Sequence, residues 1–105
     1  MKLKAASVLL VAAFFLACSK SVSVSGDVYS RHNYPVAKAQ VSFSYKKGSK
    51  QVTLGIKTDA SGHFSQNLSF PRKADKYWVT VTSDSGNYSA NVANISEFQN
   101  MRIKL

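Results

Sequence analysis

The side chains best suited to nucleophilic or metal chemistry in this 105-residue sequence are one cysteine, Cys18, and two histidines, His32 and His63. A cysteine nucleophile needs a base within hydrogen-bond reach, and Cys18 ends an apolar run that offers none. A zinc site needs several ligands at suitable spacing, and a disulfide needs a second cysteine. The histidines fall in turn-like segments, where we expect them to be solvated. The sequence therefore predicts neither an enzyme nor a metal centre.

Carboxylates in the predicted turns are the other candidate ligands. Asp59 and Asp84 fall in separate turns, and two carboxylates are too few for the roughly six to eight oxygen ligands of calcium. We interpret Asp59 as the residue that caps its turn, Gly62 as the residue that supplies a positive φ, and Phe64 as a core residue. All three are assigned a structural role, and no cofactor is predicted.

The apolar run before Cys18 is typical of a secretory leader. Lys2 and Lys4 give a cationic start, and residues 5–17 carry no charge. The run is shorter than the ~20 residues that a membrane-spanning helix needs. Beyond these general features, the stretch Phe15–Cys18 resembles the lipobox of bacterial lipoproteins, in which a peptidase cuts before a cysteine that carries a diacylglyceryl group.

The lipobox resemblance implies a signal peptide over residues 1–17, a lipid on Cys18 and a short tether over residues 18–21. It also implies a membrane-anchored lipoprotein of the bacterial cell envelope. Ser19 is not aspartate, and the resemblance therefore favours the outer membrane. Ordinary signal cleavage, which would give a secreted or periplasmic protein, stays as the alternative.

The chain beyond the leader is strongly basic and of single-domain length. The whole sequence has fourteen basic and five acidic residues, and only Lys2 and Lys4 of the basic ones fall in the leader. A basic chain can bind nucleic acid or an anionic membrane surface. We do not expect nucleic acid as a partner, because an exported chain meets little of it and no stripe alternates aromatic with basic residues.

Apolar residues alternate with polar ones along seven segments of the chain, which is typical of strands buried on one face. The alternating apolar positions are Val22, Val24, Val28; Ala39, Val41, Phe43, Tyr45; Val52, Leu54, Ile56; Phe64, Leu68; Tyr77, Val79, Val81; Tyr88, Ala90, Val92; and Met101, Ile103, Leu105. Turn-forming residues separate the segments, and none has a helical pattern. The sequence therefore predicts an all-β fold, an antiparallel Greek-key β-sandwich of about seven strands over residues 22–105.

Some of these positions carry a second family resemblance. The stretches VSGDVYSRHNYPVAKAQVSF, TDASGHF and KYWVTVTSDSGNY resemble the carboxypeptidase regulatory-like domain, a transthyretin-like or prealbumin-like sandwich of Ig-like type. The matching residues are Gly26, Val28, Pro35, Ala39, Val41, Thr58, Asp59, Gly62, Phe64, Tyr77, Val79 and Val81. The resemblance covers nearly all of the chain after the leader, and it implies a fold rather than an activity.

Catalytic relatives of that domain depend on features that this chain lacks. Related transthyretin-like hydrolases end in a characteristic tetrad, which is absent from residues 102–105. Related pilin-like modules cross-link a lysine to an asparagine beside an acid on the fifth strand, and residues 77–83 contain no carboxylate. The resemblance therefore agrees with the prediction that the protein is not an enzyme.

Six basic residues fall in the turns after the second and fourth predicted strands. If successive strands alternate in direction, both turns lie at the end of the sandwich where the first strand starts, next to Cys18. We name this group the basic pole; it consists of Lys46, Lys47, Lys50, Arg72, Lys73 and Lys76. We expect the basic pole to face the anionic headgroups of a membrane.

Trp78 is out of phase with Tyr77 and Val79, so its indole should point away from the core. An outward indole can stack on a sugar ring. The sequence thus favours a lipid-anchored, non-catalytic envelope module that presents its β-sandwich for protein–protein interaction or structural support. The alternative is a surface carbohydrate-binding or adhesion module that uses Trp78. The expected partners are the membrane, through the lipid anchor, and either an envelope protein or a glycan.

Overall fold

The computed structural model describes residues 19–105, so that the predicted signal peptide and the predicted lipid on Cys18 lie outside the described residues. The described part contains seven strands and one short 3₁₀ helix, which lies between the last two strands. The strands are β1 (Ser19–Tyr29), β2 (Gln40–Lys47), β3 (Lys50–Lys57), β4 (His63–Pro71), β5 (Lys76–Ser83), β6 (Gly86–Val92) and β7 (Met101–Lys104), and the 3₁₀ helix spans Ile95–Phe98.

The strands form two sheets, one of three strands in the order β4-β1-β7 and one of four in the order β3-β2-β5-β6. The predicted all-β sandwich of about seven strands is therefore confirmed. One pair differs from the antiparallel pattern, because β1 and β7 run parallel from the pair Gly26 and Met101 onward. The chain reverses direction at each connection, so two odd-numbered strands that become neighbours must run the same way.

The start of β1 corrects the predicted tether. Ser19 pairs with Pro71, Lys20 with Phe70, and Ser21 with Ser69 on the antiparallel strand β4. Residues 19–21 were expected to form a short tether but belong to the sheet, because β4 is long enough to give each of them a partner. The first strand therefore begins directly after Cys18 in the sequence.

The core lies between the two sheets and is built from the alternating positions of the central strands. Val24, Val28, Val41, Phe43 and Val79 are all fully buried. The corresponding apolar residues of β3 and β6 are only half-buried, because these strands form the two edges of the four-stranded sheet. Every buried side-chain nitrogen or oxygen within residues 19–105 has a hydrogen-bond partner, so the sandwich is internally satisfied.

The 3₁₀ helix is an element that the alternation did not predict. Asn94 caps it by accepting a hydrogen bond from the backbone N–H of Ser96, at 3.1 Å. Glu97 accepts in return from the N–H groups of Ala93 and Asn94, at 2.6 and 3.0 Å. This reciprocal capping box stabilises the turn, which packs against β1 and β6. As a result Phe98, at the end of the turn, is fully buried in the core.

Candidate functional site

The two histidines lie on the surface at separate places. His32 is exposed in the loop between β1 and β2. His63 is the first residue of β4 and pairs in register with Asp27 of β1. Its Nδ1 atom lies 3.0 Å from a carboxylate oxygen of Asp27, and both side chains are nearly half exposed. This pair was missed from the sequence, because it joins residues that only the strand register brings together.

The Asp27–His63 pair alone does not assemble a recognisable reactive centre. A nucleophile–base–carboxylate arrangement needs a third group in line, and a zinc site needs three or four ligands. Within residues 19–105 no cluster of three or more histidine, cysteine, aspartate or glutamate side chains could hold a metal ion. The Asp27 carboxylate can orient the imidazole of His63 through this contact.

The predicted structural turn lies between β3 and β4, at the end of the sandwich opposite the start of β1. The Asp59 carboxylate accepts hydrogen bonds from the backbone N–H groups of Ser61 and His63, at 2.9 and 3.0 Å, and from the Ser61 hydroxyl at 2.7 Å. Gly62 has a φ of 76°. Phe64 follows into the core and is 2% exposed. The Asp59 carboxylate thus stabilises the turn that precedes Phe64 in the chain.

The hydrogen bonds to Asp59 predict how acid affects stability. The Ser61 hydroxyl, followed by the backbone N–H groups of His63 and Ser61, lowers the pKa of the Asp59 carboxyl below its ordinary value of 3.8. A lowered folded-state pKa adds stability that is present above the unfolded pKa and is lost as the pH falls through the folded pKa. We expect Asp59→Asn to be less stable than the wild type at neutral pH, and the difference to shrink below pH 3.8.

The measurement for Asp59 is urea denaturation at a series of pH values. Asp84→Asn serves as the control for the loss of one negative charge, because Asp84 also lies in a turn between strands. If Asp59→Asn and the wild type lost stability in parallel from neutral to acid pH, ionisation of the Asp59 carboxyl would contribute nothing to folding stability.

Thr58 is a structural residue whose role the sequence did not reveal. It is buried, and its hydroxyl donates to the carbonyl oxygen of Val36 at 2.6 Å while accepting from the N–H of Ala39 at 2.9 Å. These bonds fasten the long loop between β1 and β2 to the end of β3. The loop is thereby held in one conformation beside the Asp59 turn.

The same loop exposes an aromatic side chain. Tyr34 is 71% exposed, and it is the only large hydrophobic residue within residues 19–105 that is so exposed. Ser30 organises the turn that carries it, because its hydroxyl accepts from the N–H groups of His32 and Tyr34, at 3.3 and 3.2 Å. Asn33 adopts a positive φ of 67° at the apex. The tyrosine is therefore presented on an ordered turn at the end of the sandwich away from the start of β1.

The residues of the basic pole share one end of the sandwich with the start of β1. Lys46 pairs in register with Lys76, and Lys47 pairs with Lys50. Arg72 and Lys73 follow Pro71, which is the register partner of Ser19. Both basic turns therefore lie beside the start of β1, which is a paired strand rather than the tether expected from the sequence.

Asp75 joins the two basic turns through backbone contacts. Its N–H donates to the carbonyl oxygen of Lys46 at 2.8 Å, and its carboxylate accepts from the N–H of Gly48 at 2.9 Å. The one acidic residue within these turns therefore bonds to the backbone. The only ion pair found within residues 19–105 is that of Asp27 and His63, so the lysines of the basic pole have no carboxylate partner there.

The lysines of the basic pole lie on both faces of the four-stranded sheet, because successive side chains of a strand point to opposite faces. Lys47 follows Phe43 and Tyr45 at two-residue steps, and Lys50 precedes Val52 in the same way, so both extend the inner faces of their strands. Lys46 and Lys76 lie on the outer face of the four-stranded sheet. The outer lysines are thus separated by the sheet from the inner ones.

A cleft of about 310 Å³ opens between the sheets at this end. Lys47 and Lys50 line it on the side of β2 and β3, and Ser19 lines it at the start of β1. Its apolar lining comes from Phe70, which is fully buried, and Tyr45, which is half-buried and lies edge-on to Phe70 with ring centroids 6.1 Å apart. The cleft therefore combines an aromatic interior with two ammonium groups.

Trp78 lies on the outer face of the four-stranded sheet and is half-buried. Ser44 and Asn91 are its register partners on the neighbouring strands. The ammonium nitrogen of Lys76 lies 5.3 Å from the centroid of its ring, within the range of a cation–π contact. A sugar that stacked on this side of the indole would have to displace Lys76.

Within residues 19–105 no helix has the length and apolar character needed to cross a membrane. No protein-family model matches the sequence, and no curated protein matches it significantly.

Proposed function

We propose that this protein is a lipid-anchored, non-catalytic module of the bacterial cell envelope. Its basic pole faces the membrane, and its opposite end is presented to an envelope protein. The observation that carries the proposal is the start of β1 at Ser19, at the same end of the sandwich as the basic pole. A lipid on Cys18 would therefore be attached directly beside the lysines.

The short distance between Cys18 and β1 supports this orientation. An extended residue spans at most ~3.6 Å, so a lipidated Cys18 cannot hold the sandwich far from the bilayer. Lysines near an anionic surface each add about 1 kcal/mol of attraction. With none of them neutralised by a carboxylate within residues 19–105, the basic pole keeps its charge for the headgroups.

The end away from the membrane supports the second half of the proposal. An eleven-residue strand at about 3.3 Å per residue places the loop after β1 roughly 35 Å from the anchor. That loop carries the exposed Tyr34 on its ordered turn. Aromatic side chains on rigid turns contribute strongly to protein interfaces, because they bury a large area at little entropic cost. We therefore assign the partner-binding surface to the loop around Tyr34.

Lipid anchoring is tested by Cys18→Ser in the full chain. We expect the variant to take up no label during metabolic labelling with a fatty acid and to move from the membrane to the soluble fraction. We also expect it to keep the wild-type urea midpoint, because both sheets and the core lie within residues 19–105. Ser21→Ala, at an exposed position of β1, should keep both label and location. Label and membrane partition that survived in Cys18→Ser would overturn the proposal.

The carbohydrate alternative has one observation in its favour, since Trp78 lies in a row of polar side chains with Ser44 and Asn91 beside it. A glycan array separates the two functions. Binding to a defined glycan that Trp78→Ala abolishes and Tyr34→Ala leaves intact would favour the alternative. The absence of any glycan signal, together with a stoichiometric envelope partner that is lost in Tyr34→Ala, would favour the module proposed above.

A further inference from the structure

We infer that the cleft at the basic pole is a binding site for the phosphate of an anionic phospholipid headgroup. Lys47 and Lys50 would hold the phosphate, and the aromatic interior would contact the glycerol and the first carbons of the chains. The inference rests on the proposed function, because that function brings the cleft to the membrane. It goes further by assigning headgroup recognition to two of the six basic residues.

The first argument is the charge arrangement. Lys47 and Lys50 lie directly opposite each other on β2 and β3. Like charges in this position destabilise a sheet. Within residues 19–105 neither lysine forms an ion pair, and the nearby Asp75 carboxylate accepts from the backbone of Gly48. An anion between the two ammonium groups would remove the repulsion. The hairpin of β2 and β3 should therefore be more stable with an anion bound than without one.

The second argument is the side of the strands on which these lysines lie. Both continue the inner faces of their strands and line the cleft between the sheets. Lys46 and Lys76 lie on the outer face, and Lys76 already contacts Trp78. Two of the six basic residues therefore line the cleft between the sheets, whereas Lys46 and Lys76 lie on the opposite face of the four-stranded sheet.

The third argument is the mixed chemistry of the lining and its position. Tyr45 and Pro71, which are both half-buried, contribute apolar surface next to the two lysines. An inorganic ion would leave that surface uncovered, whereas the glycerol and acyl carbons of a phospholipid would cover it. Ser19 also lines the cleft, and it directly follows Cys18, the proposed anchor residue, in the sequence. A headgroup of the same leaflet is the ligand within reach.

The experiment is lysine footprinting of the lipid-anchored protein in vesicles. Reaction with an acetylating reagent is followed at each lysine by mass spectrometry, in phosphatidylcholine vesicles with or without phosphatidylglycerol. Attraction of one lysine to an anionic surface corresponds to a factor of about five, and we expect phosphatidylglycerol to slow the reaction of Lys47 and Lys50 by clearly more than this factor. Lys46 and Lys73 should slow much less. Lys57, at the far end of β3, is the reference.

Matched variants test whether the two lysines act together. Lys47→Gln should remove most of the protection of Lys50. Lys46→Gln makes the same change of charge one residue away on the other face of β2, and it should leave that protection intact. If both variants reduced it equally, the effect would come from general surface charge, and the inference would be wrong.

The remaining outcomes separate the inference from the function on which it rests. Equal protection of Lys46, Lys47, Lys50 and Lys73 would contradict the headgroup site. It would still agree with the proposal that the basic pole faces the membrane. No protection at any of them relative to Lys57 would overturn both. In a third arm, millimolar inorganic phosphate replaces phosphatidylglycerol. If phosphate protected Lys47 and Lys50 as strongly as the lipid does, the result would show that the cleft binds a free anion. It would contradict the proposed binding of a lipid headgroup.

Discussion

Phe98→Ala is expected to lower the free energy of unfolding by about 3–5 kcal/mol, the range measured when a buried phenylalanine is truncated in a core. Phe98 is fully buried, and its ring lies 4.9 Å from that of Phe43 and 5.3 Å from that of Phe70, measured between centroids. Phe43 belongs to the four-stranded sheet and Phe70 to the three-stranded one. Truncation therefore removes the group that contacts both sheets, and a small domain has only about 5–15 kcal/mol to lose.

Urea denaturation of the full chain measures this loss. Phe98→Leu keeps most of the apolar volume and should cost markedly less than Phe98→Ala, because the cavity is smaller. Tyr34→Ala removes an aromatic ring of similar size from a 71% exposed position and should change stability by about 0.5 kcal/mol or less. If Phe98→Ala cost no more than Tyr34→Ala, the 3₁₀ helix would not be part of the core.

Phe98 also shows where prediction from the sequence ends. Seven strands and their buried faces were predictable, because each repeats an apolar residue at every second position over several residues. Residues 93–100 have no such repeat, and there the chain buries an aromatic ring from a single turn. The spacing of Asn94 and Glu97 is that of a capping box and is a readable signal. A four-residue helix is nevertheless too short to show a period, so hydrophobic patterning alone does not reveal it.

The basic pole was predictable in outline for a similar reason. Alternating strand direction was enough to place both basic turns at the end where β1 starts. Lys47 and Lys50 lie on the inner face of the sheet and Lys46 lies on the outer face. This difference follows from the alternation of side chains along a strand, which can also be read from the sequence. The cleft itself depends on how the two sheets approach each other, and no pattern within one strand encodes that distance.

Contacts that depend on register between distant segments could not be predicted. The pair of Asp27 and His63 follows from the alignment of β1 with β4. The two hydrogen bonds of the Thr58 hydroxyl join it to a loop about twenty residues earlier. Thr58 was recognised as part of a family pattern, yet its chemistry needed the position of that loop. The same holds for the tether, since only the length of β4 decides whether residues 19–21 have partners.

Gly62→Val is expected to lower the free energy of unfolding by about 2–5 kcal/mol, through two separable costs. A β-branched residue at a φ of 76° loses about 1–2 kcal/mol for the left-handed backbone conformation. A Cβ atom at this position would also lie 2.7 Å from the carbonyl oxygen of Val28 and 3.0 Å from the nitrogen of Val36. Relieving such contacts with the backbone costs about 1–3 kcal/mol more.

Gly48 offers the matched control for Gly62, because it has a φ of 62° and no atom lies within 4 Å of the point that a Cβ atom would occupy there. Gly48→Val should therefore lose only the conformational part, about 1–2 kcal/mol. The difference between the two variants in urea denaturation isolates the steric part. Val28 and Val36 bond to each other at this point, at 3.0 Å between N and O, so the displacement would also loosen the loop that carries Tyr34. Equal losses in both variants would mean that the turn can move away from β1 freely, and that the loop around Tyr34 is not held by it.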